Sequence, residues 1–208
     1  MKLLRLATTL NSTSAPYNQF SLGFRSSIDQ TYCAFLTNDL PIKPDIEVYN
    51  GNGSIFKMIK LIKGLISRNN YDVVHIHSGL TGIIFLISIF PFRIHMLQRT
   101  LFTLHNSWNV IKLRNQILNF IVMLASKKIC TCGIASKKSI PRLINFFIGR
   151  KTISVVNGFD NNRIDTIERN KKYIRHFNKN TKIKILCIGA LNDTKNQISL
   201  LKVLKDIN

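Results

Sequence analysis

What most constrains this chain is a rhythm. Short runs that are apolar almost throughout alternate with stretches whose apolar residues recur at helical spacing. "LLRLATT", "TYCAFLT", "YDVVHIH", "TLFTLH", "KKICTCGIAS" and "TISVVN" read as strands. Between the later ones lie four helical stretches, "IFKMIKLIKGLISRNN", "SGLTGIIFLISIF", "VIKLRNQILNFIVMLAS" and "KKSIPRLINFFIG". In the first of these, Ile55, Ile59, Ile62 and Ile66 share one face and lysines stand opposite. Strands without polar alternation, separated by helices, are those of a parallel sheet covered on both faces. The expected fold class is therefore α/β, a doubly wound Rossmann-like parallel sheet.

The rhythm stops near residue 160. "NNRIDTIERNKKYIRHFNKNT" is polar, charged and weakly periodic, which suits a linker. Beyond it "KIKILCIGAL" reads as a strand and "NQISLLKVLKDI" as a helix with Ile198, Leu201 and Leu204 at helical spacing. One strand and one helix cannot bury their own faces. The expected organisation is a Rossmann-like domain over residues 1–160, a linker over 161–181, and over 182–208 the opening of an incomplete second Rossmann-like domain.

Charge narrows the partners. The formal net charge is +20, and no Asp or Glu lies between Asp72 and Asp160, while basic residues run through that gap from Arg93 to Lys151. A field of one sign attracts anions such as phospholipid head groups or phosphorylated substrates. Nucleic acid is not expected, since the basic runs carry no recognisable binding module and few interleaved aromatics. The stretch "VIKLRNQILNFIVMLAS" places Lys112, Asn115, Gln116 and Asn119 toward one side of a broad apolar remainder, so peripheral attachment to an anionic membrane surface is expected there. The apolar run from Leu80 to Ile94 is shorter than the roughly 20 residues that span a bilayer and contains Pro91, so it reads as a buried helix. "MKLLRLATTL" is interrupted by Arg5 and reads as a strand, not a signal peptide. The four cysteines have no framework spacing, and reduced thiols in a cytoplasmic protein, peripheral on the inner face of the cell membrane, are expected.

In an open α/β sheet the ligand cleft lies beyond the carboxyl ends of the strands. His75, His77, His105, Ser136 and Asn157 stand at such ends in this reading. His75 and His77 point to one face but have no third ligand nearby, which makes a poor metal site. No metal is expected. His105 is followed by Asn106, Ser107 and Trp108, groups suited to gripping a polyhydroxylated ligand, although a lone histidine at a strand end by itself favours a structural hydrogen-bonding role.

The order of "YDVVHIHS", "TLFTLHNSW", "GIASKKSI", "ISVVNGFD", "ILCIGAL" and "KNQISLLKVL" resembles the retaining glycosyltransferases of family 4, the group 1 transferases of GT-B fold. The resemblance covers nearly the whole chain, as an amino-terminal domain and the first βα unit of a second. It implies transfer of a sugar from a nucleotide diphosphate sugar, a co-substrate with no further cofactor and no metal, to a cell-surface polysaccharide or lipid-linked glycan acceptor. It gives His105 the catalytic place near the transferred sugar. Lys195 and Gly189, with the loop holding Ser14 and Ala15, take the donor side. His77, Asn106, Ser107, Asn157, Gly158 and Asp160 take the acceptor or cleft side. Ser14 and Ala15 stand where the family carries paired glycines, and Ala190 where it carries an arginine. The competing expectation is a non-catalytic remnant or binding module of the same fold that holds an acceptor or a partner subunit.

Overall fold

A computed structural model describes residues 1–11, 28–40, 46–156, 185–187, 189 and 196–207. The chain divides into two units, Met1–Asn162 and Arg163–Asn208.

The first unit is a seven-stranded sheet in the order β3-β2-β1-β4-β5-β6-β7. Its strands are β1 (Lys2–Leu10), β2 (Asp29–Thr37), β3 (Ile46–Asn50), β4 (Val73–Ile76), β5 (Thr100–Leu104), β6 (Lys128–Thr131) and β7 (Thr152–Ser154). Every neighbouring pair is parallel. This is the doubly wound Rossmann-like sheet expected from the apolar runs. The helices of this unit are α1 (Ile55–Arg68), α2 (Gly79–Ile89), α3 (Leu113–Ala125), α4 (Ile134–Lys138) and α5 (Arg142–Ile148). In the second unit, α6 spans Gln197–Ile207.

Alternation along the strands divides the sheet's faces. Leu4, Leu6, Val74, Ile76, Phe102, Leu104 and Ile129 join Met58, Ile62 and Leu65 of α1, Ile84 and Phe85 of α2 and Val122 of α3 in one large core. Tyr32, Ala34 and Ala7 belong to a smaller cluster. Arg5, beside Tyr32 and His75 in register, takes the face opposite Leu4 and Leu6. The helices begin at side-chain caps where the sequence offers serine: Ser54 Oγ accepts from the Lys57 N–H, and Ser78 Oγ from the Thr81 N–H.

Several expectations need correction. β3 is a seventh strand, missed because Glu47 and Asn50 interrupt its apolar character; it sits at the sheet edge, where a half-exposed strand tolerates them. On α1 the core face is Met58, Ile62, Leu65 and Ile66, while Ile55, in the first turn, is 45% exposed. "KKSIPRLINFFIG" is not one helix, because Pro141 ends the turn after α4 and stands at the N-cap of α5. Of the expected strand "KIKILCIGAL", Ile185, Leu186 and Cys187 are in no regular element, and the rest apart from Gly189 lies outside the described residues. On α6 Ile198 and Leu201 are exposed.

No helix among the described residues is long and apolar enough to cross a membrane. The run from Leu80 is largely the buried helix α2, but Phe90, Phe92 and Ile94 beyond it lie exposed.

Candidate functional site

The strand order reverses between β1 and β4, which is where an open parallel sheet leaves room for a ligand. A cleft of about 410 Å³ opens there. Thr8 of β1, His77 and Ser78 after β4, and His105 and Asn106 after β5 line it at the strand ends; Arg114, Asn115 and Asn119 of α3 line it from the helix side. Among the described lining residues there is no carboxylate, one guanidinium and a set of hydroxyl and amide groups. Such a surface suits a polyhydroxylated or anionic ligand.

Two imidazoles, His77 and His105, line the cleft, and the His75 ring packs beside His77 with centroids 4.0 Å apart. Arg5 Nη1 lies 3.3 Å from His75 Nδ1, and His75 Nε2 lies 2.7 Å from Thr103 Oγ1. A guanidinium has only donors, so His75 accepts at Nδ1, carries its proton on Nε2 and is neutral. Desolvation first, then the Arg5 charge and His105, push its pKa down to about 3. The guanidinium itself is buried, donates from Nε to Gln30 Oε1 at 3.2 Å, and lies over the Tyr32 ring. His75 is thus a sheet residue with its ring between Arg5 and Thr103, not the strand-end group expected from sequence, because β4 runs one residue past it.

His77 is 9% exposed, and its Nδ1 lies 3.0 Å from His105 Nε2, the two rings stacked at 17°. Burial is again the first cause of a pKa held well below the ordinary value, with His75, His105 and Arg5 adding to it. His77 Nε2 is buried with no partner among the described residues. Orphaned buried N–H groups are rarer than under-satisfied acceptors, which places the His77 proton on Nδ1, donating to His105. His105 then carries its own proton on Nδ1, which lies 3.5 Å from Cys132 Sγ. His105 stands at the exposed rim, yet the part of its ring turned inward is desolvated and its pKa is lowered. The consequence is a neutral histidine whose Nε2 is engaged by His77 and whose Nδ1–H stands beside a weak acceptor, Cys132 Sγ, that a ligand oxygen can displace. It can donate to a hydroxyl or to an oxygen gaining charge.

The loop after β5 is anchored from α4. Ser136, expected at a strand end, is buried on that helix, and its hydroxyl donates to the Asn106 carbonyl at 3.1 Å. Ser139 Oγ accepts from the Trp108 N–H at 2.7 Å. Trp108 is buried in the main core and cannot grip a ligand, contrary to its sequence reading; the indole is large and apolar enough that the core takes it. Asn106 stays exposed at the cleft, and Ser107 is half-buried before the short 3-10 turn Trp108–Val110.

His77, His105 and Asn106 therefore share one cleft, and Gly189 lies exposed in the second unit. Ser14, Ala15, Asn157, Gly158, Asp160 and Lys195 lie outside the described residues. Sequence reading missed Thr8, Ser78, Arg114, Asn115 and Asn119. Ser78 had a signal, a serine opening a helix directly after a strand, and its hydroxyl joins Thr8 at 2.6 Å and Thr81 at 2.9 Å. Arg114 and the two asparagines had none, because only the packing of α3 on α2 brings them to the strand ends.

Sheet order and cleft define a Rossmann-like α/β protein with a candidate ligand cleft at the carboxyl edge of the sheet. No protein-family model and no curated protein sequence matches the chain. Among solved structures, the UDP-GlcNAc 2-epimerase from Methanocaldococcus jannaschii superposes with a TM-score of 0.53 at 14% identity, over 74% of this chain and 45% of that one. For the UDP-GlcNAc 2-epimerase from Neisseria meningitidis bound to UDP-GlcNAc the TM-score is 0.48 at 15% identity, over 81% and 52%. The chain spans about half the length of each. The likeness is one of fold, a Rossmann-like α/β architecture.

Proposed function

We propose that the chain is part of a retaining, nucleotide-sugar-dependent glycosyltransferase whose first unit holds a cell-surface polysaccharide or lipid-linked glycan acceptor. The observation that carries this reading is His105, whose pKa is lowered by burial and whose ring, hydrogen-bonded to His77, stands at the rim of a cleft with no carboxylate among its described lining residues. As a glycosidic bond to a diphosphate breaks, charge grows on the leaving group and on sugar oxygens, and fixed donors placed there lower the barrier. Thr8, Ser78, Asn106 and Asn119 supply hydroxyl and amide partners for an acceptor. On the donor side the reading assigns Lys195, Gly189, Ser14 and Ala15 to the nucleotide diphosphate sugar, and it assigns Asn157, Gly158 and Asp160 to the turn before a linker over 161–181; the resemblance supports these assignments.

A second reading, epimerisation of a nucleotide sugar, draws on the fold likeness to the Methanocaldococcus enzyme. Inverting a carbon centre requires a proton to be removed and returned, and the described cleft offers only imidazoles whose basicity is lowered. Incubating the protein with a panel of nucleotide diphosphate sugars and glycan acceptors, with products followed by anomeric proton NMR, separates the readings. Transfer with retained anomeric configuration is expected, falling about 100-fold in His105→Ala while nucleotide affinity changes little. Release of an epimerised nucleotide sugar would establish the second reading instead. Ligand binding without any turnover would leave a binding module.

A further inference from the structure

We propose that the surface formed by α3 and α5 docks on an anionic lipid bilayer, independently of the chemistry in the cleft. The observation is that α3, besides the face it buries through Val122 and Met123, carries a second apolar stripe that is exposed. Two of its polar residues turn away from that stripe: Asn119 is buried against Gly79, and the Gln116 amide donates to the Trp108 and Ile111 carbonyls at 3.1 and 2.8 Å. Its apolar residues Leu113, Ile117, Ile121 and Leu124, at helical spacing, face out, with Leu113 71% exposed. The neighbouring α5 continues the patch with Leu143, Phe146 and Phe147, of which Phe146 is 82% exposed. A contiguous patch of projecting leucine, isoleucine and phenylalanine marks an interaction surface.

Its rim identifies the partner. Arg142, Arg150 and Lys127 are exposed on the same two helices and the turns that follow them, and the sequence offers no carboxylate between Asp72 and Asp160 to offset them. Nucleic acid would satisfy the rim but not the apolar centre. A second copy would satisfy the centre, but a two-fold contact would set one basic rim against another. An anionic bilayer meets both, taking the apolar side chains at the headgroup and acyl boundary and the guanidinium and ammonium groups at its phosphates. No helix among the described residues is long and apolar enough to cross, and through this patch the protein would lie on the bilayer surface.

The test is co-sedimentation of the 208-residue chain with vesicles of phosphatidylcholine alone and with a third of phosphatidylglycerol added, at low and high salt. Partition onto the anionic vesicles should be at least about tenfold stronger and should weaken with salt. Ile117→Ser combined with Phe146→Ser should lower it about tenfold at both salt concentrations, with far-UV circular dichroism unchanged. Arg142→Glu combined with Arg150→Glu should lower it mainly at low salt. Lys57→Glu combined with Lys60→Glu on α1 matches that change in charge away from the patch and should leave binding within about twofold. Equal sedimentation with both vesicle types would overturn the proposal, as would an α1 variant as impaired as the patch variants, which would mean that net charge alone drives adsorption. Concentration-dependent self-association that Ile117→Ser abolishes, with vesicle binding untouched, would assign the patch to a second copy.

Discussion

A buried imidazole beside a guanidinium survives only while neutral, and this makes His75 and His77 acid-sensitive struts. Both have folded pKa values below the ordinary 6.5, His75 at about 3. The unfolded chain therefore takes up these protons first as pH falls. Their contribution to stability is complete above pH 6.5 and declines as pH drops from there toward 3, by about 1.4 kcal/mol per pH unit for each histidine that remains neutral when folded. Urea denaturation at successive pH values should show that slope, and His75→Gln should remove one histidine's share of it. An unchanged slope in the variant would disprove the assignment of His75 as a buried neutral group. The reading of "YDVVHIH" placed two histidines on one face of a strand, and that was legible from alternation alone. What separated their roles was not legible: Arg5, seventy residues earlier, pairs with one ring and His105, just past the next strand, with the other.

At the scale of elements, the cleft depends on how closely α2 and α3 approach. A Cβ added at Gly82 would lie 2.5 Å from both methyl groups of Val122, and one at Gly79 would lie 2.6 Å from Asn119 Oδ1 and 2.8 Å from the Asn119 backbone nitrogen. Gly82→Ala should cost about 1 to 3 kcal/mol, the range for overpacking, and Gly79→Ala more, because backbone cannot turn aside as a valine side chain can. Thermal unfolding of both variants checks the order; a Gly82→Ala protein as stable as the parent would show that the helices stand farther apart. Combining Gly82→Ala with Val122→Ala should lose less than the two separate losses added, since the crowding methyls are gone. Helix existence was readable from period, but facing was not. The sequence of α3 suggests that its polar residues meet solvent, whereas Asn119 and Gln116 turn inward to the start of α2 and the 3-10 turn. Trp108 looks like a sugar platform in a linear reading and is core in three dimensions because Ser139 and Ser136 draw its loop inward.

Over the whole molecule, the excess of positive charge has two kinds of use. Arg93, Arg99, Lys137 and Lys151 donate to backbone carbonyls, Lys151 reaching Leu124 and Ser126 at the end of α3, so part of the basic gap is structural. Arg114 faces the cleft, and Arg142 and Arg150 ring the apolar patch. The alternation of strands and helices announced the sheet and its carboxyl edge; the half-polar edge strand β3 and the helix-borne cleft residues became visible only once the chain was folded. The central claim is that this edge binds a sugar-bearing ligand against His105. It is tested most directly by imidazole NMR of the histidine-labelled chain during titration with nucleotide diphosphate sugars and glycan oligosaccharides. The account expects saturable shifts at His105 and, through their shared hydrogen bond, at His77, with His75 and the surface residue His95 unmoved. Saturable binding that leaves His105 and His77 unmoved, or shifts no larger there than at His95, would contradict it.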